Sequence, residues 1–215
     1  MATIHRRRYR TNDDIFTVKL HGTKITVTVT STASVVKKWL KSTLHIHRYH
    51  HRHSALVVGL GVQWTSNAQP PQPADTLQLC IGRRCLIIHL THAQRVPRLL
   101  RHFLLDRRVT FVGFWNHSDR SKLEDYWPNL QMWRKPDDLR KWVAMVYDDP
   151  ELKKVPVRRI VRTCLGFEVE QSNEVSDSDW DGEYLSDDQV VFACVDAYCA
   201  FQIGKNIKVW SLDYC

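Results

Sequence analysis

The segment His45-Ile-His-Arg-Tyr-His-His-Arg-His53 gathers imidazoles, which can ligate zinc or carry a proton near neutral pH. A zinc site needs ligands converging in a fixed geometry, usually with a cysteine or carboxylate among them. Here the spacing is irregular and Arg48 and Arg52 interrupt it, which favours a solvated cationic loop. Cys80, Cys85, Cys164, Cys194, Cys199 and Cys215 show neither the short pairing of a zinc site nor the density of a disulfide scaffold. Most of them lie in apolar runs, where a thiol behaves as a small hydrophobe.

The remaining chemistry is in the charges. The formal net charge is +8, and an excess of that sign favours anionic partners, nucleic acid first. Arg6, Arg7, Arg8 and Arg10 open a basic N-terminal stretch that continues through Lys19, Lys24, Lys37, Lys38 and Lys41. Only Asp13 and Asp14 oppose them there, while acids gather late, over residues 168–188. The four arginines are therefore expected to bind nucleic acid, with Tyr9 and Tyr49 placed to stack on exposed bases. No apolar run approaches bilayer length and none follows the basic start, so the reading is an intracellular protein of nucleus, cytoplasm or both, with no membrane partner.

These groups need elements to position them. An apolar fraction of 43% with eight Trp is enough for a closed core. Residues 15–30 alternate around His21-Gly22 and predict a hairpin, and 35–44 recur at helical spacing. A continuous apolar run over 55–64 predicts a buried strand, followed by a Pro/Gln-rich loop over 66–75. Strands are expected at 76–80, 85–90 and 109–114. Helices are expected at 96–105, 118–126, 137–147, 157–165 and 186–207. Strands followed by alternating helix and strand describe an α/β domain, a mixed sheet flanked by helices, with an N-terminal hairpin and helix as an extension. The division is residues 1–54, a basic arm, hairpin and helix packed on the domain, and 55–215, the domain itself.

Several stretches, in order, carry a resemblance. They are Val58-Gly-Leu-Gly61-Val-Gln63-Trp64, then Thr76-Leu-Gln78-Leu79-Cys80, then Val112-Gly113-Phe-Trp-Asn-His-Ser-Asp119 with Lys122-Leu123. After these come Trp180 through Tyr184-Leu185-Ser186, and Phe192-Ala-Cys-Val-Asp196-Ala197-Tyr198. Together they resemble the DnaQ-like 3′–5′ exonuclease family, the Werner-type branch of the RNase H-like fold, and most of all its plant members.

That resemblance implies chemistry by divalent cations, Mg²⁺ or Mn²⁺, held in a pair roughly 4 Å apart by hard oxygen ligands. An Asp and a Glu two apart on one strand reach the same metals, because alternate residues share a face. Asp119 and Asp196 match the acids that two helices contribute, so both are expected to be catalytic and metal-binding. Gly61 stands where the strand's Asp belongs, Gln63 where its Glu belongs, and Phe192 where a water-positioning Tyr belongs; Val191 stands at the alternative His position. Asp75, Glu124 and the 168–188 acids are candidates for compensation.

The resemblance implies a protein that binds 3′ ends of single-stranded RNA or DNA, with phosphodiester hydrolysis from an incomplete carboxylate set. The alternative is a catalytically degenerate binding or assembly module, acting as a homo-oligomer or a mixed oligomer with active relatives.

Overall fold

The mid-chain apolar run becomes β4 (Leu56–Gln63), buried along nearly its whole length. The structure is a computed structural model and describes residues 2–7, 14–66, 72–127 and 130–214. A strand apolar on both faces needs a layer on each side and neighbours on both edges. β4 pairs antiparallel with β5 (Thr76–Ile81) and parallel with β7 (Val109–Gly113). β5 turns through Gly82 into antiparallel β6 (Arg84–His89). Beyond β7, a two-residue strand, β8 (Asp137–Asp138), closes that edge.

The N-terminal stretch continues the same sheet. β2 (Asp14–Leu20) and β3 (Thr23–Thr30) form the expected hairpin, and β1 (Thr3–Arg7) adds an outer strand that periodicity did not reveal. His21 and Gly22 both take positive φ, 43° and 75°, as a two-residue hairpin turn matched to strand twist requires. β3 then lies parallel to β6, giving one mixed eight-stranded sheet in the order β1-β2-β3-β6-β5-β4-β7-β8.

The helices are α1 (Ala33–Ile46), α2 (Arg48–Arg52), α3 (Arg98–Leu104), α4 (Asp119–Tyr126), α5 (Leu139–Val146), α6 (Val157–Leu165), α7 (Asn173–Ser176) and α8 (Asp187–Asn206). Two expectations are corrected. The histidine-rich segment is helical, the end of α1 and all of α2, rather than a loop. Nothing in it breaks a helix, and a 2.7 Å contact between His51 Nε2 and Asp106 anchors α2 to the turn after α3. The helix expected from residue 137 starts at Leu139, because Asp137 and Asp138 extend β7's edge and the Asp138 carboxylate caps α5 by accepting from Arg140 N–H.

α8 sets the geometry of the centre. A capping box starts it: Ser186 Oγ accepts from Gln189 N–H, and Gln189 Oε1 accepts from Ser186 N–H. The helix then crosses β4 at very short range. A Cβ on Gly59 would sit 1.8 Å from the Ala197 carbonyl oxygen, so only glycine permits this approach. The close packing brings Asp196, the residue before Ala197, against the next outward position of β4, Gly61.

Candidate functional site

Two strands supply the floor. Gly61 pairs with Gln78 and Gln63 with Thr76, so these four residues share the sheet face that α8 covers. Above them stands Asp196, whose Oδ2 lies 3.7 Å from where a Gly61 Cβ would be. Asp119 arrives from the end of β7. A turn with Trp115 at φ 51° leads into α4, and buried Asn116 holds it by donating from Nδ2 to the Asp137 carbonyl at 3.1 Å. Gly61, Gln63, Asp119, Phe192 and Asp196 all line one cavity of about 800 Å³. The sequence-derived register and the pairing of the two aspartates therefore hold in three dimensions.

The two carboxyls are costly to ionise. Burial pushes Asp196 up to about 7. Burial also raises Asp119 well above the ordinary carboxylate range, and the charges of Asp196 and Asp138 push it further while Lys122 opposes them. Lys122 lies 4.1 Å over the Trp64 ring, and burial lowers its own pKa. At neutral pH the pair therefore shares protons unless a cation faces it.

Phe192 packs toward buried Trp180, with ring centroids 6.1 Å apart, and presents no hydroxyl to the cavity. The candidate replacement acids are mostly engaged elsewhere. Asp75 accepts from Thr65 N–H, Thr65 Oγ1 and Thr91 Oγ1 at 2.8–2.9 Å. Glu124 pairs with Arg120 and accepts from Met132 N–H. From the acidic stretch, Glu174 reaches the cavity wall, where it is exposed.

Sequence reasoning missed the opposite wall. Lys154 and Arg158 supply cations there, and Gln171 lines it with both amide atoms buried and without a hydrogen-bond partner. These residues sit in loops and at the start of α6, where no periodic pattern marks a site. Trp115, 46% exposed, lines the mouth with the Arg140 guanidinium 3.4 Å from its ring centre. Arg6, by contrast, sits on β1, ion-paired with Asp14. Five strand spacings of ~4.8 Å put β1 roughly 24 Å from β4, so Arg6 is not brought to the cleft. The Arg7 side chain, and Arg8, Tyr9 and Arg10 altogether, lie outside the described residues.

The donor set decides what cation it can hold. Among the described residues no cluster of three or more His, Cys, Asp or Glu is placed to bind a metal, so a two-cation centre does not fit. A single dication does fit, with the Asp119 and Asp196 carboxylates balancing its charge. Neutral oxygens are at hand on the floor. Among them is Gln78 Oε1, buried without a hydrogen-bond partner, a state that costs about 1–3 kcal/mol.

No family model matches the sequence. A 3′–5′ exonuclease of Arabidopsis thaliana is 26% identical over 156 residues, 70% of this chain and 52% of that protein. The chain spans about half the length of the first curated relatives it matches. Among solved structures, the Nibbler EXO domain of Aedes aegypti superposes with a TM-score of 0.62 at 17% identity, covering 86% of this chain and 88% of that one. Escherichia coli RNase D, described as an exoribonuclease involved in structured RNA processing, gives 0.67 at 14% identity, covering 85% and 44%. These likenesses show the fold, a mixed sheet flanked by helices of the RNase H-like kind.

Proposed function

The chain belongs to the DnaQ-like 3′–5′ exonuclease domain family, and on that premise we propose that its cleft receives the 3′ end of a single-stranded nucleic acid, with hydrolysis much reduced. One observation carries the reading. Every motif position meets in a single cavity, yet only Asp119 and Asp196 bring acid to it.

Single strands suit this cavity. Its walls offer aromatic faces at Trp64 and Trp115 for stacking, and cations at Lys154 and Arg158 for the phosphate backbone. The unpartnered Gln171 amide offers one donor side and one acceptor side, which suits the edge of an unstacked base.

Asp119 and Asp196 are the residues that would hold a Mg²⁺ or Mn²⁺. Such a cation supplies Lewis-acid polarisation of a phosphate oxygen. Its second role in related chemistry, clamping the attacking and leaving oxygens between two ions, has no ligands here. Phe192 has no hydroxyl to orient a water, and Gln63 carries no charge to accept a proton. Attack on the phosphodiester therefore lacks both its general base and half of its electrostatic support, which is why binding outlasts turnover in this reading.

The test pairs binding with degradation of labelled single strands in Mg²⁺ or Mn²⁺, for the wild type and for Asp119→Asn/Asp196→Asn. Tight end binding with slow hydrolysis supports the reading. Brisk hydrolysis in Mg²⁺ abolished by Asp196→Asn would overturn the reduced-turnover half of it, and failure to bind single strands at low salt would overturn the rest.

A further inference from the structure

Gln78 is completely buried in the middle of β5, where the sheet is otherwise apolar. Its amide is clamped from one side, Nε2 donating to Thr76 Oγ1 at 2.6 Å. That contact leaves Oε1 with no partner, in a space from which water is excluded. The oxygen lies 2.7 Å from the position a Gly61 Cβ would occupy, and Asp196 Oδ2 lies 3.7 Å from the same point. The amide oxygen thus fills the volume into which a side chain at position 61 would start, on the cleft face, beside a carboxylate.

A purely structural residue here would be apolar. Leucine or methionine would fill the volume without stranding an acceptor, and buried polar groups otherwise find partners. The oxygen is oriented rather than free to turn, because the Thr76 contact fixes the amide. Hard divalent cations accept amide carbonyl oxygens alongside carboxylates.

We propose that Gln78 Oε1 is a cation ligand that replaces the carboxylate missing at Gly61, and that with Asp196 and Asp119 it completes a site for one Mg²⁺ or Mn²⁺ ion. The charge balance is that of a mononuclear site, two carboxylates against one dication, with the amide adding a dipole and no charge. The proposal deepens the reading of this cleft as the place that takes a divalent cation and rests on it.

Mn²⁺ binding to the full chain, without nucleic acid, tests it by the paramagnetic resonance signal of free Mn²⁺. Gln78→Met keeps length and removes the oxygen; it weakens Mn²⁺ binding by about tenfold or more. Gln78→Glu adds a charge at the same point and tightens binding. Asp196→Asn removes binding in either background. Should Gln78→Met fail to fold, judged by circular dichroism and melting, Gln78→Asn withdraws the oxygen while keeping the amide and weakens binding in the same way.

Wild-type affinity in Gln78→Met or Gln78→Asn, and again in Gln78→Glu, overturns the proposal. If Asp196→Asn still removes binding in that case, the cleft keeps its cation and only Gln78 loses its role. A wild type that binds no Mn²⁺ at millimolar concentration overturns the cation site altogether, and single-strand binding is then judged by its own assay.

Discussion

Replacing Gly61 with aspartate tests whether the cleft floor is built as described. The new Cβ would stand 2.7 Å from Gln78 Oε1, closer than side chains approach without something shifting, and 3.7 Å from Asp196 Oδ2. Overpacking of this kind costs about 1–3 kcal/mol, and a second carboxylate beside Asp196 adds like-charge repulsion. For a domain of this size each kcal/mol lowers Tm by about 2–4 °C. Gly61→Asp should therefore melt roughly 2–12 °C below the wild type in EDTA. Gln78→Ala in the same chain removes the clashing oxygen and should recover part of the loss, a coupling that independent sites would not show. Mn²⁺ should recover more, since a ligand at a hundred times its Kd stabilises by about 2.7 kcal/mol. Adding Gln63→Glu should raise Mn²⁺ affinity again and bring measurable degradation of a labelled single strand. Differential scanning fluorimetry across the four variants, with and without Mn²⁺, reads all of this. A Gly61→Asp protein that melts with the wild type in EDTA and gains nothing from Mn²⁺ refutes the reasoning, because position 61 would then face neither Gln78 nor Asp196.

Three further outcomes follow from the same geometry. Gly59→Ala drives a Cβ to within 1.8 Å of the Ala197 backbone oxygen, which cannot rotate away; the cost should be at least about 3 kcal/mol, read as a large fall in Tm or loss of folded protein, and a wild-type melt would show that α8 does not cross β4 there. Asp196 holds its proton in the folded state up to about pH 7 but only to about 3.9 when unfolded, so between those values the folded state binds more protons and stability falls as pH rises. Asp196→Asn should accordingly stabilise the metal-free protein at pH 8 and much less at pH 4, and a difference in Tm that does not change with pH would contradict the burial argument. Lys154→Ala and Arg158→Ala should each weaken single-strand binding and reduce the salt slope by roughly 0.7, while replacing Arg6, Arg7, Arg8 and Arg10 together should reduce affinity less; a larger effect from the arm would move the binding surface away from the cleft.

Local pattern carried a good part of this protein. The continuous apolar run over 55–64 could only be a buried strand, and its alternation put Gly61 and Gln63 on one face before any neighbour was known. The hairpin at His21-Gly22 and the capping box at Ser186 are written in residues a few positions apart, which is why both elements lie where expected. Asp119 and Asp196 were legible as a pair through their order among the motifs, and they line the same cavity. Where local pattern failed, the deciding contact was distant. Residues 45–53 look like a charged loop by composition, but His51 meets Asp106, a partner over fifty positions away that helps fix α2. Asp137 and Asp138 look like a helix start, yet the edge of β7 recruits them into a strand.

What the chain determined by itself is the list of elements, the face each strand residue takes, and the absence of acid at Gly61 and Gln63. Those follow from backbone geometry and from spacing along one segment. Tertiary structure decided the rest. Strand pairing set Gln78 opposite Gly61 and filled the vacant space with an amide oxygen. Burial under α8 raised the Asp196 pKa, and burial beside Asp196 did the same for Asp119. Sheet order carried Arg6 five strands from the cleft and left Lys154, Arg158 and Gln171 to face it. Each of these depends on solvent exclusion and on neighbours brought together from far along the chain, and no window of sequence contains them.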